Sequence, residues 1–251
     1  MTLILGAFCS EGLLLTADRE ESSEYAKRSV QKLFEIHPPS GAWRMVVGGA
    51  GDSAFSDFVM GAIARAALQS SDTFTANHEQ VLSDTLREVY RDYMYCVPKN
   101  VREARGIELL IGLNTQDGSL VRLYKTNDEI VNIVLDYACC GIGRDIADYF
   151  LDRLYEERLT ERQLIAFAAF VVREAKDSVE AVGKETECFF LPNAQAMRKG
   201  AALRHYYQHG AITDALLPRL SQIINHFWRD PESLSDEIKR ELLLESGIER
   251  L

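Results

Sequence analysis

Four residues in the first fifth of the chain carry groups that could act together on a carbonyl carbon. Thr2 follows Met1 and begins the first apolar run, and Asp18 ends the second run. Lys32 begins the third run, and Gly48 lies where the fourth run passes into a glycine-rich turn. If the four runs form neighbouring strands, these residues meet at one edge of a sheet.

Removal of Met1, which the small side chain of Thr2 permits, would place a free amine and a hydroxyl on one residue. A hydroxyl is a weak nucleophile until a neighbouring group takes its proton. A terminal amine, with a reference pKa of about 7.7–8.0, is a suitable base at neutral pH. A Lys32 ammonium nearby would lower the pKa of both groups, and the Asp18 carboxylate would hold that lysine. The backbone N–H of Gly48 could then stabilise an oxyanion.

The spacing of apolar residues predicts the elements that position this site. Continuous or alternating apolar runs predict strands, and apolar residues three and four apart predict helices. The predicted strands are 2–9, 12–18, 31–37, 43–48, 107–113, 120–124, 129–135, 137–141 and 188–191. The predicted helices are 52–68, 77–96, 145–157 and 160–182. This order indicates an α+β fold in which sheets stack in the middle and helix pairs lie outside.

The composition limits the classes of partner. The chain has 251 residues and a formal net charge of −10, and its 47% of hydrophobic residues are typical of a globular protein. An acidic surface argues against a nucleic acid or an anionic membrane as the main partner. No CxxC pair, membrane-length apolar run or signal sequence occurs. We therefore expect a soluble cytoplasmic protein.

Other polar clusters favour structural explanations. His205 and His209 lie four apart on a predicted helix, but no suitably spaced third ligand accompanies them, so we expect no metal site. No nucleotide-binding or other cofactor motif is present, and we expect no cofactor. The acidic cluster of Glu20, Glu21 and Glu24 is predicted to be a solvated loop.

Three segments resemble the start of a proteasome β-type subunit, a member of the N-terminal nucleophile hydrolase class. They are TLILGAFCSEGLLLTADRE, QKLFEI and MVVGGAGDSAFSDF. The pair Gly141 and Gly143 and the segment 173–177 extend the resemblance over residues 2–191. The bacterial peptidase that partners an ATPase unfoldase belongs to the same group. The resemblance implies a four-layer αββα sandwich, here residues 1–193, and a threonine-type endopeptidase activity.

The resemblance also implies roles for individual residues. Thr2 becomes the nucleophile and, without Met1, its amine accepts the proton. Asp18 and Lys32 become the carboxylate–lysine pair beside it, and Gly48 becomes the glycine of the oxyanion hole. Asp177 matches the acidic residue that supports the terminal threonine from the fourth helix.

Two positions depart from the family pattern and leave alternatives open. Ile142 stands where the family usually has a serine, and Glu180 stands where it usually has a serine or threonine. Those hydroxyls help to hold the terminal amine and a water molecule. The alternatives are therefore a non-catalytic subunit of a proteasome-like ring and an amidase of the same class that acts on a small molecule.

The last quarter of the chain extends beyond the resemblance. Residues 194–251 are predicted to be largely helical, packed on the same domain or between subunits, with an apolar stripe over 216–227. The family implies a homo-oligomeric ring and peptide or unfolded-protein substrates. An ATPase unfoldase is a further implied partner.

Overall fold

The computed structural model describes residues 2–22, 26–104, 106–200 and 204–208. The chain divides into two compact units, Met1–Tyr207 and Gln208–Leu251, and all described residues except Gln208 belong to the first. Most of the predicted helical extension lies outside the described residues. Within its described part Ala194–Arg198 is helical, whereas Arg204–Gln208 is a strand at the edge of a sheet, not the predicted helix.

Strands and helices alternate in the predicted groups. The described strands are β1 (Leu3–Cys9), β2 (Gly12–Asp18), β3 (Glu20–Ser22), β4 (Lys27–Ser29), β5 (Leu33–Ile36), β6 (Trp43–Gly51), β7 (Ile107–Thr115), β8 (Val121–Asn127), β9 (Ile130–Val134), β10 (Tyr137–Gly141), β11 (Thr186–Pro192) and β12 (Arg204–Gln208). The described helices are α1 (Ser53–Gln69), α2 (Phe74–Val89), α3 (Lys99–Ala104), α4 (Arg144–Leu154), α5 (Glu161–Ser178) and α6 (Ala194–Arg198), and a π-helical turn at Tyr90–Met94 follows α2.

Ten of the twelve described strands form two stacked five-stranded sheets, and β3 and β4 form a separate two-stranded ribbon. The first has the order β10-β1-β2-β11-β12, and the second has the order β5-β6-β7-β8-β9. Helices α4 and α5 cover the first sheet, α1 and α2 cover the second, and the sheets contact each other through β1, β2 and β10 against β6, β7 and β8. This is the four-layer αββα sandwich, and the predicted α+β fold class is confirmed.

Burial on both faces explains the continuous apolar runs near the start of the chain. Every residue of β2 is buried, because α5 covers one face and the second sheet covers the other. Leu13, Leu15 and Leu110 lie in the core between the sheets. In the core beneath α1 and α2, the rings of Trp43 and Phe74 lie 4.5 Å apart.

The acidic cluster after β2 is ordered, so the predicted solvated loop is wrong for its described part. Glu20 and Glu21 belong to β3, which pairs antiparallel with β4. Glu21 lies opposite Arg28 and accepts a hydrogen bond from its Nε, and Lys27 Nζ lies 2.9 Å from Glu20 Oε1. Opposite charges across the two strands stabilise this ribbon. Glu24 lies outside the described residues.

Candidate active site

The Asp18 carboxylate brings the predicted residues together. Its Oδ1 accepts hydrogen bonds from Thr2 Oγ1 at 2.7 Å, from the Leu3 N–H at 2.8 Å and from Lys32 Nζ at 2.9 Å. The exposed fractions are 4% for Thr2, 0% for Asp18 and 8% for Lys32. Because the Thr2 hydroxyl and the Lys32 ammonium bind the same oxygen atom, they lie close to each other in a site shielded from solvent.

The second Asp18 oxygen fixes the loops around the site. Oδ2 accepts the N–H of Glu20 at 3.0 Å and the N–H of Gly183 at 3.1 Å. Lys32 Nζ also donates to the Glu20 carbonyl at 2.5 Å. A buried carboxylate that accepts five hydrogen bonds has its charge well compensated.

Strand pairing places Thr2 beside Asp18. In the antiparallel pair of β1 and β2, Ile4 lies opposite Ala17, which brings the start of β1 to the end of β2. On the other side of β1, Leu3 pairs with Gly141. Gly141 has a φ of 90°, and a Cβ there would lie 2.2 Å from the Thr2 carbonyl oxygen. A glycine is therefore required where β10 approaches Thr2.

Burial and the nearby charges shift the pKa of Lys32 in opposite directions. Burial lowers the pKa of the Lys32 ammonium below its ordinary value, because the charged form is desolvated. The nearby charges of Asp18, Glu20 and Glu187 oppose this and raise the pKa. The net direction is downward.

Two further charged residues at the site, Glu187 and Lys176, were not predicted from the sequence. Glu187, at the start of β11, is fully buried, and its Oε1 accepts the N–H of Lys32 at 2.7 Å and of Leu33 at 2.9 Å. Lys176, near the end of α5, donates to Thr186 Oγ1 at 2.7 Å, and burial lowers its pKa. The available signal was a polar pair, Thr186 and Glu187, directly before the apolar run CFFL.

A cavity of about 180 Å³ opens beside Thr2 and Lys32. Its walls come from β3, β4, β6 and α1. The polar lining residues include Glu21, Arg28, Ser53, Ser56 and Asp57. Ser56 is 4% exposed, and its Oγ has no hydrogen-bond partner among the described residues.

The remaining predicted site residues are Gly48 and Asp177. Gly48 lies inside β6, where an added Cβ would come within 2.7 Å of Leu33 Cδ2, and its neighbour Gly49 lines the cavity. Asp177 is not brought to Thr2 by any described contact: its side chain is 65% exposed and lies 3.5 Å from Arg173 Nε.

The two positions that depart from the family pattern are also exposed. Ile142 is 51% exposed, and Glu180 is exposed, with its carbonyl accepting Lys27 Nζ at 2.7 Å. Neither supplies a hydroxyl near Thr2.

No group of three or more His, Cys, Asp or Glu residues with metal-binding geometry occurs within the described ranges. His205 lies in β12, and His209 is outside those ranges. None of the described helices is long and apolar enough to cross a bilayer.

Comparisons with known proteins agree with this architecture. The family model described as "Proteasome subunit" matches residues 2–191. No curated protein sequence matches the chain.

Similar solved structures share the fold at low sequence identity. An Anbu (Gly-1) mutant from Hyphomicrobium sp. strain MC1 has a TM-score of 0.74 and 15% identity, over 94% of this chain and 100% of that one. Anbu (ancestral beta-subunit) from Yersinia bercovieri has a TM-score of 0.72 and 16% identity, over 93% and 99%. The helical assembly of the Anbu complex from Pseudomonas aeruginosa has a TM-score of 0.69 and 15% identity, over 94% and 99%.

Replacing Gly141, the glycine that approaches Thr2, with alanine should destabilise the protein by more than the cost of its unfavourable φ. Gly141 and Gly200 have similar φ values of 90° and 88°, but a Cβ at Gly200 meets nothing within 4 Å. Both alanine variants should lose about 1–2 kcal/mol from the unfavourable φ. Gly141→Ala should lose a further ~1–3 kcal/mol from overpacking against Thr2. Urea denaturation measures both, and equal losses would contradict the required close approach.

Proposed function

The chain belongs to the proteasome subunit family, and from that premise we propose that it is a threonine-type endopeptidase. Thr2 Oγ1, on the residue that becomes the N-terminus after removal of Met1, is the nucleophile. The observation that carries this proposal is the shared oxygen: Asp18 Oδ1 accepts both the Thr2 hydroxyl and the Lys32 ammonium.

The chemistry follows from this arrangement. The Thr2 amine accepts the hydroxyl proton while Oγ1 forms a bond to the carbonyl carbon of the peptide. The oxyanion accepts a hydrogen bond from the backbone N–H of Gly48, which is the proposed donor of the oxyanion hole. Collapse of the tetrahedral intermediate breaks the carbon–nitrogen bond, and the proton passes to the leaving nitrogen. Water then hydrolyses the ester and returns a proton to Oγ1.

Lys32 and Asp18 support this sequence electrostatically. A positive charge beside Oγ1 lowers the pKa of the hydroxyl and favours the neutral form of the amine. Asp18 holds the Lys32 ammonium in a fixed position relative to Thr2, because its Oδ1 also accepts a hydrogen bond from the Leu3 N–H.

The positions of Asp177, Ile142 and Glu180 favour the main competing hypothesis, a non-catalytic subunit. All three are exposed, so the support that the family gives to its terminal amine has no counterpart in the described contacts. A small-molecule amidase is the other alternative. It predicts turnover of small amides without turnover of peptides.

Assembly and partners are part of the proposal. The Pseudomonas aeruginosa relative is described as a helical assembly, and we extend homo-oligomerisation, in a ring or a related assembly, to this chain. Peptides or unfolded proteins are the proposed substrates, an ATPase unfoldase is a proposed partner, and the cytoplasm is the proposed location.

The charge of the cavity indicates which side chain precedes the cleaved bond. Glu21 is paired with Arg28, whereas Asp57 has no cationic partner among the described residues. Burial and the neighbouring charge of Glu21 raise the pKa of Asp57, so its carboxylate is stabilised by an added cation. The unpaired Ser56 hydroxyl can accept a hydrogen bond from that cation. We therefore propose a preference for lysine or arginine.

Loss of Met1 and dependence on Thr2 test the enzyme directly. Intact mass spectrometry of the native assembly should show a chain without Met1. On fluorogenic peptides, Thr2→Ala should lower kcat by a factor of about 10³ or more, as expected when a nucleophile is removed. Thr2→Ser, which retains a hydroxyl, should keep measurable activity.

The same measurements separate the alternatives. Full retention of Met1 would exclude the terminal-threonine mechanism. A processed but inactive protein would support the non-catalytic subunit, and turnover of small amides alone would support the amidase.

Removing the unpaired acid of the cavity should change the substrate preference. Asp57→Asn should lower kcat/KM about tenfold for peptides with lysine or arginine before the cleaved bond, a loss of ~1.4 kcal/mol. The kcat/KM for peptides with leucine at that position should change much less. The wild-type preference should weaken as the pH falls through the raised pKa of Asp57, because protonation removes the charge. Asp72→Asn, an exposed acid outside the cavity lining, is the matched control. An unchanged ratio of the two substrates would refute this preference.

A further inference from the structure

Building on the proposed peptidase function, we propose that Glu187 is a positioning residue for Lys32. Its buried carboxylate fixes the chain that leads into β5 and so holds the Lys32 ammonium against Asp18. Its charge keeps that ammonium protonated in a desolvated site.

The contacts of Glu187 link the two sheets. Glu187 belongs to β11 in the first sheet, where it lies opposite Ala17 of β2. Its Oε1 accepts the N–H of Lys32 at 2.7 Å and the N–H of Leu33 at 2.9 Å, at the start of β5 in the second sheet. One carboxylate oxygen therefore binds two successive amides on the opposite sheet. This fixes the backbone of Lys32, from which its side chain extends to Asp18.

The burial of this carboxylate requires an explanation beyond packing. Glu187 is 0% exposed, and its Oε2 has no hydrogen-bond partner among the described residues. A buried carboxylate oxygen without a partner is destabilising. A neutral side chain could bind the same two amides through a carbonyl oxygen, so the anchoring contact alone does not need the negative charge.

The charge has a clear effect on Lys32. Glu21, Arg28 and Asp57 line the cavity beside Lys32, and after removal of Met1 the Thr2 amine is a further titratable group there. The charged groups that act on the Lys32 ammonium include three carboxylates, Asp18 on β2, Glu20 on β3 and Glu187 on β11, together with Lys176 on α5. Burial and Lys176 favour the neutral amine, while the three carboxylates favour the ammonium. Glu187 is the one of these three carboxylates whose side chain makes no described hydrogen bond or ion pair to a lysine ammonium; its contact with Lys32 is to the backbone N–H. Its electrostatic effect is therefore separable from direct contact.

Two substitutions separate the anchor from the charge. Glu187→Gln keeps an oxygen that accepts the two amides and removes the charge. Glu187→Ala removes both. Glu35→Gln, on β5 itself, is the matched control, because Glu35 is paired with Arg44 and makes no described contact with Lys32.

The kinetic expectations differ between the variants. For Glu187→Gln, kcat should equal that of the wild type at pH values well below the lowered pKa of Lys32 in the variant. As the pH rises, the variant should lose activity about one pH unit before the wild type does. This corresponds to a tenfold change in the Lys32 ionisation constant. For Glu187→Ala, kcat should fall about tenfold or more at every pH with little change in KM, since substrate binding groups are untouched. Glu35→Gln should leave both the rate and the profile unchanged.

A direct titration makes the result independent of activity. The pKa of Lys32 is measured by NMR on protein with ¹³C-labelled lysine ε-carbons, and Lys32→Met assigns the signal. The Lys32 pKa should fall in Glu187→Gln and stay constant in Glu35→Gln. If wild-type protein lacks peptidase activity, the proposed function fails while the titration still tests the link. An unchanged Lys32 pKa in Glu187→Gln overturns the inference, and that outcome remains decisive if Glu187→Ala does not fold.

Discussion

The hydrogen bonds of Asp18 are the constraint on which the candidate site depends. Five donors from four segments of the chain converge on this one carboxylate, from Thr2, Leu3, Glu20, Lys32 and Gly183. A carboxylate in the dry interior of a sandwich is stable only when its charge is compensated in this way. The demand for donors therefore holds the chain terminus, the lysine and the loop before β11 in fixed relative positions.

The sequence predicted the fold and the centre of the site because both depend on local patterns. Continuous apolar runs identified strands buried on two faces, and a tight hairpin brings the start of β1 to the end of β2. Glu187 and Gly183 could not be found in this way. They are 155 and 165 positions away from Lys32 and Asp18, the residues they bind. The pairing of β11 with β2 brings Gly183 to Asp18, and the stacking of the sheets brings Glu187 to Lys32.

Charge clusters were harder to interpret than apolar runs. The acidic residues after β2 are typical of a solvated loop, but they form a strand in which Glu21 lies opposite Arg28 and Glu20 is ion-paired with Lys27. Glu21 also lines the cavity. Asp177, which the resemblance assigns as a supporting acid, lies in an exposed i,i+4 ion pair with Arg173. Its part in catalysis remains a prediction from the family pattern alone.

The balance of formal charges gives a physical reason why an amine at Thr2 could act as a base without that support. Asp18, Glu20 and Glu187 contribute three buried carboxylates, and Lys32, Lys27 and Lys176 contribute three ammonium groups around them. A protonated terminal amine would add a further cation beside these ammonium groups in a poorly solvated site. Such a site favours the neutral amine, which is the form that accepts the Thr2 proton. In the proposed mechanism the lysines therefore supply electrostatically part of what hydroxyl groups supply elsewhere in the family.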